Sequence, residues 1–274
     1  MKILTLEDLG NKLPIPDQNG VRQSFKFRPW RMPEEKKIGE LRKTHKQLGR
    51  FVREVYDFML VELNDKEWQA SDQHERKLTL SQLPWADIFY MWCYLRVEAL
   101  GEEMKMEQID CPSCEYPIKG YKADLRSLEV RCAGFDEESG EEIKEDRDAV
   151  YELKTPFTHG EVEVTAIKFG YTPWLAMEKI PAQEKNQGSI KESMMAASLI
   201  GALTKESGDK VIQLDKAKVL EMLTKRDIEG YYDKLDEHNG GPKLGLEVEC
   251  PGCGHKFDQY LNWTYDYFFG NGSL

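Results

Sequence analysis

Two cysteine pairs, far apart in the chain, have the residue types and spacing best suited to chemistry. They are Cys111-Pro112-Ser113-Cys114 and Cys250-Pro251-Gly252-Cys253, the second continued by Gly254-His255. A Cys-x-x-Cys turn brings two thiolates together beside exposed backbone N–H groups and can grip one side of a tetrahedral metal ion; a second turn completes the tetrahedron. Six cysteines in 274 residues would give about 0.1 such pairs by chance, so two pairs are a specific signal. The expected ligands are therefore Cys111, Cys114, Cys250 and Cys253. Zinc is the expected metal. Iron or an iron–sulfur cluster is the alternative, because thiolates suit both, and unligated or redox-active turns are a third reading. Cys132 and His255 remain open as additional ligands. Four protein ligands leave no position for water or substrate, so the metal would be structural.

The flanks of the pairs match each other. An extended run over 104–110 precedes the first and another over 244–249 precedes the second, as in the two halves of a zinc ribbon. What is unusual is the separation: 135 residues lie between Cys114 and Cys250, against about 15–20 in a compact four-cysteine site. The intervening chain must fold so that its ends meet.

The rest of the sequence supplies candidate elements for that task. Residues 1–24 read as an irregular arm broken by Gly10, Pro14, Pro16 and Gly20, and 25–30 as a short strand. Pro33, Glu34 and Glu35 suit a helix start, and apolar residues from Ile38 to Met59 at helical spacing carry that helix to about 63. His45 sits in this stripe as a core histidine. A polar connector over 64–77 leads to a helix over 81–100 that is apolar nearly all round and therefore buried, with Cys93 as a small core residue. Residues 150–155 and 161–168 read as a hairpin around 156–160. Helices are expected over 171–180, 189–203, 215–223 and 227–238. The eight acids over 136–148 read as a solvated loop. The alternating Trp263, Tyr265, Tyr267 and Phe269 read as a last strand, with a docking surface as the other reading. The expected fold class is α+β: helical segments around small β regions joined by the split four-cysteine site. Its regions are an arm and first strand (1–32), a helical region (33–103), a β region with the first pair (104–170), a second helical region (171–243), and the second pair with the aromatic tail (244–274).

Composition excludes several classes. A net charge of −11 opposes the basic face that nucleic-acid binding uses, so no nucleic-acid partner is expected. No apolar run approaches the length of a membrane span. The start turns acidic too early for a signal peptide, which points to synthesis in a cytoplasm where thiols stay reduced. There is no phosphate-binding Gly-rich loop, no His-Glu-x-x-His and no Gly-x-Ser-x-Gly, so the chain is expected not to be an enzyme.

The order of features carries a resemblance. An extended Phe27-Arg28-Pro29 is followed by the helix start Glu34-Glu35-Lys36. A buried helix ends in Leu95-Arg96 and Gly101-Glu102, with a Cys-x-x-Cys shortly after. The late Cys250-Pro251-Gly252-Cys253-Gly254 is followed within twenty residues by Phe268-Phe269. In this order the chain resembles the baseplate hub (tail-tip) family of contractile-tailed bacteriophages; the acidic run and Cys132 fall outside the shared pattern. The resemblance implies a virion structural protein of the tail baseplate, made in the host cytoplasm. It also implies a hetero-oligomeric assembly with tail-tube or spike proteins as partners. A tail assembly chaperone absent from the virion and a zinc-ribbon nucleic-acid-associated protein are the competing readings.

Overall fold

The computed structural model describes residues 1–136, 139, 141–143, 147–180, 187–204, 211–261 and 269. The first residues are not the irregular arm expected. Strand β1 (Lys2–Thr5) runs into a one-turn helix α1 (Leu6–Leu9) closed by a capping box: Thr5 Oγ1 accepts the Asp8 N–H at 3.1 Å, and Asp8 Oδ2 accepts the Thr5 N–H at 3.0 Å. This reciprocal pair uses aspartate where glutamate is the usual partner, which is why the local signal is weak. Leu6, Leu9, Leu13 and Ile15 are buried. Thr5→Ala should lower stability by about 1 kcal/mol, read as a shift of the urea midpoint without a change of slope; an unmoved midpoint would mean the box does not hold α1.

Strand β2 (Phe25–Phe27) is followed by α2 (Met32–Thr44), α3 (Leu48–Met59), β3 (Leu60–Leu63) and β4 (Lys66–Glu67). The single helix expected to about 63 is broken twice. His45 and Gln47 take extended backbone between α2 and α3. The break lets α3 turn its dense apolar face (Phe51, Val52, Val55, Met59) inward, while α2 buries only Ile38. His45 thus marks a corner and is half-buried. From Leu60 the chain pairs with β2, Phe25 opposite Leu63, and turns into β4 through Asn64 and Asp65, both at positive φ (53° and 58°). Asn and Asp tolerate that conformation in a two-residue hairpin turn.

The connector and second helix also differ from expectation. Helix α4 (Gln73–Gln82) starts within the segment read as a connector. It is capped by Asp72, whose Oδ1 accepts the N–H groups of His74 and Glu75. Leu83, pushed to extended backbone by the proline that follows, separates it from α5 (Trp85–Leu100). Helix α5 is the centre of the larger core, with Ile88 through Cys93 buried.

Next come β5 (Glu103–Asp110), β6 (Pro117–Asp124), β7 (Glu129–Cys132), β8 (Asp148–His159) and β9 (Val162–Gly170). The β8–β9 hairpin is longer than read: the turn lies between His159 and Val162, and the strand runs through Pro156 with a register shift between Glu152 and Phe157. An edge strand tolerates that proline, and β8 lies at the edge of the order β10-β9-β8. The helix expected over 171–180 shrinks to α6 (Leu175–Glu178). That over 189–203 divides into α7 (Gln187–Ser198) and β10 (Leu199–Thr204). Pairing of β10 with β9 overrides the helical pattern. The chain closes with α8 (Lys216–Met222), α9 (Lys225–Asn239), β11 (Gly241–Pro242), β12 (Gly245–Glu249) and β13 (Lys256–Tyr260).

The result is an α+β fold with small separate sheets. β1, β7 and β11 form one, so the first strand and the short strand that follows α9 meet on β7. A second apolar cluster packs the β8–β10 sheet against α8 and α9 around Phe169, Tyr231 and Leu235. Trp263, Tyr265 and Tyr267 lie outside the described residues, as does part of the acidic run. Phe269 packs between Trp30 (centroids 4.9 Å apart, stacked) and Trp92 (4.8 Å, edge-on).

Candidate metal centre

The site is built from two hairpins that pair internally and not with each other: β5 with β6, and β12 with β13. Ile109 of β5 and Val248 of β12 are buried within the larger core. Each lies two residues before the first cysteine of its pair, so the core holds the strands where they lead into the tips. Arg96, in the last turns of α5, donates to the carbonyls of Gly101 (2.8 Å) and Glu103 (3.1 Å), fixing the entry to β5.

The two tips repeat one hydrogen-bond pattern. Cys111 N–H donates to the Tyr116 carbonyl (3.1 Å) and Glu115 N–H to the Cys111 carbonyl (2.9 Å). Cys250 N–H donates to the His255 carbonyl (2.9 Å) and Gly254 N–H to the Cys250 carbonyl (2.8 Å). Glu115 and Gly254, at equivalent places, both have positive φ. The Gly252 N–H points at Cys250 Sγ (3.4 Å). The Tyr116 ring lies over Gly252, where a Cβ would come within 2.9 Å of the ring. Only glycine leaves room for the tips to close.

The four sulfurs converge. Cys111 Sγ lies 3.8 Å from Cys253 Sγ, Cys114 Sγ lies 3.7 Å from Cys250 Sγ, and all four lie within 4.8 Å of one another. A tetrahedron with metal–sulfur bonds of about 2.3 Å has edges near 3.8 Å, so the set fits a metal of that kind. Cys111 and Cys250 are buried; Cys114 and Cys253 face solvent.

Electrostatics point the same way. Burial opposes ionisation of Cys111, yet the N–H groups of Ser113 and Cys114, with the thiols of Cys250 and Cys114, outweigh it and take the group down to about 7. The Tyr116 N–H favours the Cys114 thiolate. The surrounding Cys253, Cys250 and Cys111 sulfurs outweigh it, and Cys114 is pushed up to about 12. Four adjacent thiols cannot all ionise unless a cation is shared among them.

The other candidates stand apart from the cluster. Cys132 is fully buried in β7 with its Sγ toward the Val130 carbonyl, and burial pushes it up to about 12. Cys93 in α5 is likewise a buried thiol raised to about 12 by burial. His255 contributes its backbone carbonyl to the tip, while its ring stacks on Phe257. Sequence reasoning passed over Asp87, a buried acid on α5. Its signal was a carboxylate inside a helix that is apolar on every side.

No helix among the described residues is long and apolar enough to cross a membrane. The family described as T4 bacteriophage base plate protein matches the chain over residues 11–268. Comparison with curated proteins and with solved structures gives no match.

Proposed function

The chain belongs to the T4 bacteriophage base plate protein family, and from that premise we propose that it is a structural subunit of the baseplate hub, held together by one structural zinc ion. The family match spans nearly the whole chain, which supports a structural component of the phage tail with other tail proteins as neighbours. The observation that carries the metal reading is the four-sulfur cluster of Cys111, Cys114, Cys250 and Cys253. A site closed by four thiolates binds metal without offering it to substrate. In this reading the protein is made in the host cytoplasm, enters a hetero-oligomeric hub beside tail-tube or spike proteins, binds no nucleic acid and catalyses no reaction.

The test is elemental analysis and mass spectrometry of isolated tail particles beside the purified subunit. One zinc per chain is expected, with the chain retained in finished particles. An iron signal would replace zinc by the iron alternative, and a chain free of metal with four titratable thiols would remove the site. Presence only in assembly intermediates would make the protein an assembly chaperone.

A further inference from the structure

A groove of about 810 Å³ opens on the side of the molecule formed by the first residues of the chain and the junction of α4 with α5. Its walls are mixed: Ile15, Pro16, Leu78, Leu83 and Pro84 give it an apolar strip, with Leu78 53% exposed, and polar side chains including Gln18, Gln23 and Gln82 line the rest. Asp87 lines it too, yet is only 1% exposed. Its Oδ1 accepts the Ile15 N–H at 3.0 Å, and among the described residues that is the one hydrogen bond its carboxylate makes.

The other charged groups of the groove are already committed. Asp17 Oδ1 accepts the N–H groups of Asn19 and Val21, and Asp148 pairs with Lys168 at 3.0 Å. Arg147 donates to the Pro16 carbonyl at 2.8 Å and lies over the Tyr171 ring. Among the described residues Asp87 makes no ion pair within contact distance; Arg147 and Arg22 act on it only from further away.

We propose that this groove binds the basic side chain, arginine or lysine, of a neighbouring tail protein, with its charged head on Asp87 and its aliphatic stem along Leu78, Leu83 and Pro84. The identity of the partner as a tail protein rests on the base plate reading; the chemistry of the site does not. Long basic side chains bury their stems on apolar surface while the head seeks an anion, and the groove presents both parts in order.

The energetics of Asp87 support a role in binding. Burial raises it to about 8, against the Ile15 N–H and the more distant Arg147 and Arg22, which favour the charged form. A folded-state value above the unfolded one means that the folded chain holds the extra proton, which an arriving guanidinium or ammonium group displaces to solvent. Stability is then lost as pH rises from 3.8 towards about 8. An asparagine would accept the same N–H without this cost. An acid that weakens the fold at neutral pH is a mark of a functional site.

The test titrates the full chain with Nα-acetyl-arginine-methylamide and, separately, with its neutral citrulline analogue, following the Ile15 amide resonance by NMR. The arginine compound should give a saturable shift and the citrulline compound a response at least about tenfold weaker. Asp87→Asn should abolish the arginine response while its Tm stays at or above that of the unaltered protein. Equal responses to the two compounds, or undiminished binding by Asp87→Asn, would overturn the proposal. Leu78→Asn, at the exposed wall, leaves the buried acid in place and should weaken arginine binding; unchanged binding by this variant would also count against the site. Metal content is expected to be unchanged in both variants, so failure here is separable from failure of the metal or base plate reading.

Discussion

Cys250→Ser should remove the metal and lower stability by about 4–5 kcal/mol, the range reached when a metal site or a large part of a core is lost. In a chain of this size that corresponds to a fall in Tm of roughly 10–20 °C. Two arguments support the magnitude. The two ligand pairs lie 135 residues apart in the chain and meet only in the folded state, so metal-binding energy is folding energy. A cross-link that closes a loop of about 100 residues also restricts the unfolded chain by about 4.7 kcal/mol in the chain-entropy description, and here the closed loop is longer. Serine cannot substitute, since its hydroxyl is a hard, weakly acidic ligand where the site offers soft thiolates. Without the metal the β12–β13 hairpin keeps only Val248, Leu261 and a few half-buried neighbours as its hold on the core. Metal analysis and thermal unfolding check the prediction together. Cys93→Ala is the control, because it removes a buried thiol outside the cluster and should lose stability while keeping one metal per chain. A Cys250→Ser protein with unchanged metal content and Tm would show that the four sulfurs hold nothing.

The cysteine cluster was legible in the sequence because a Cys-x-x-Cys turn is a local object, complete within four residues whatever surrounds it. The two flanking strands were legible for the same reason, and so was α5, whose apolar composition declares a buried helix. What escaped was set by partners distant in sequence. Leu60–Leu63 continues a helical pattern, yet becomes strand because Phe25 lies opposite Leu63. Leu199–Thr204 leaves the helix because β9 offers an edge. Asp87 looks like a defect in an apolar stripe until the Ile15 N–H, 72 residues away in sequence, is placed beside it. The α4 start was a local signal passed over, like the Thr5–Asp8 box of α1: Asp72 three residues before Glu75 caps it, but the polar composition read as connector. The convergence of the two pairs across 135 residues could be inferred from chemistry alone, since each pair is half a tetrahedron.

Gly49→Ala should lower stability by about 3 kcal/mol although alanine is the better helix residue by about 0.8–1.0 kcal/mol. Gly49 lies in the first turn of α3, where the chain passes directly against α6. A Cβ there would sit 2.4 Å from the carbonyl carbon and oxygen of Met177 and 2.6 Å from the nitrogen of Glu178. These are backbone atoms, so no rotamer change relieves the clash, and α6 has to move as a unit. That movement strains two buried contacts. The Trp174 Nε1–H donates to the Gly49 carbonyl at 2.9 Å, and Glu178, 3% exposed, pairs with Arg53 and accepts a 2.6 Å hydrogen bond from Ser81 Oγ. Weakening a buried hydrogen bond or ion pair costs about 1–3 kcal/mol, because the groups left behind have no water to turn to. The paired control is Gly39→Ala in α2, where an added Cβ meets nothing within 4 Å. That variant should gain up to about 1 kcal/mol. The two substitutions are chemically identical and opposite in expected sign, and urea unfolding of both decides the matter. If Gly49→Ala matches Gly39→Ala, helix α3 does not approach α6 as closely as the structure has it. If its urea midpoint falls instead, by the equivalent of about 3 kcal/mol, the close approach at Gly49 is what lets the Arg53–Glu178–Ser81 network form between α3, α4 and α6.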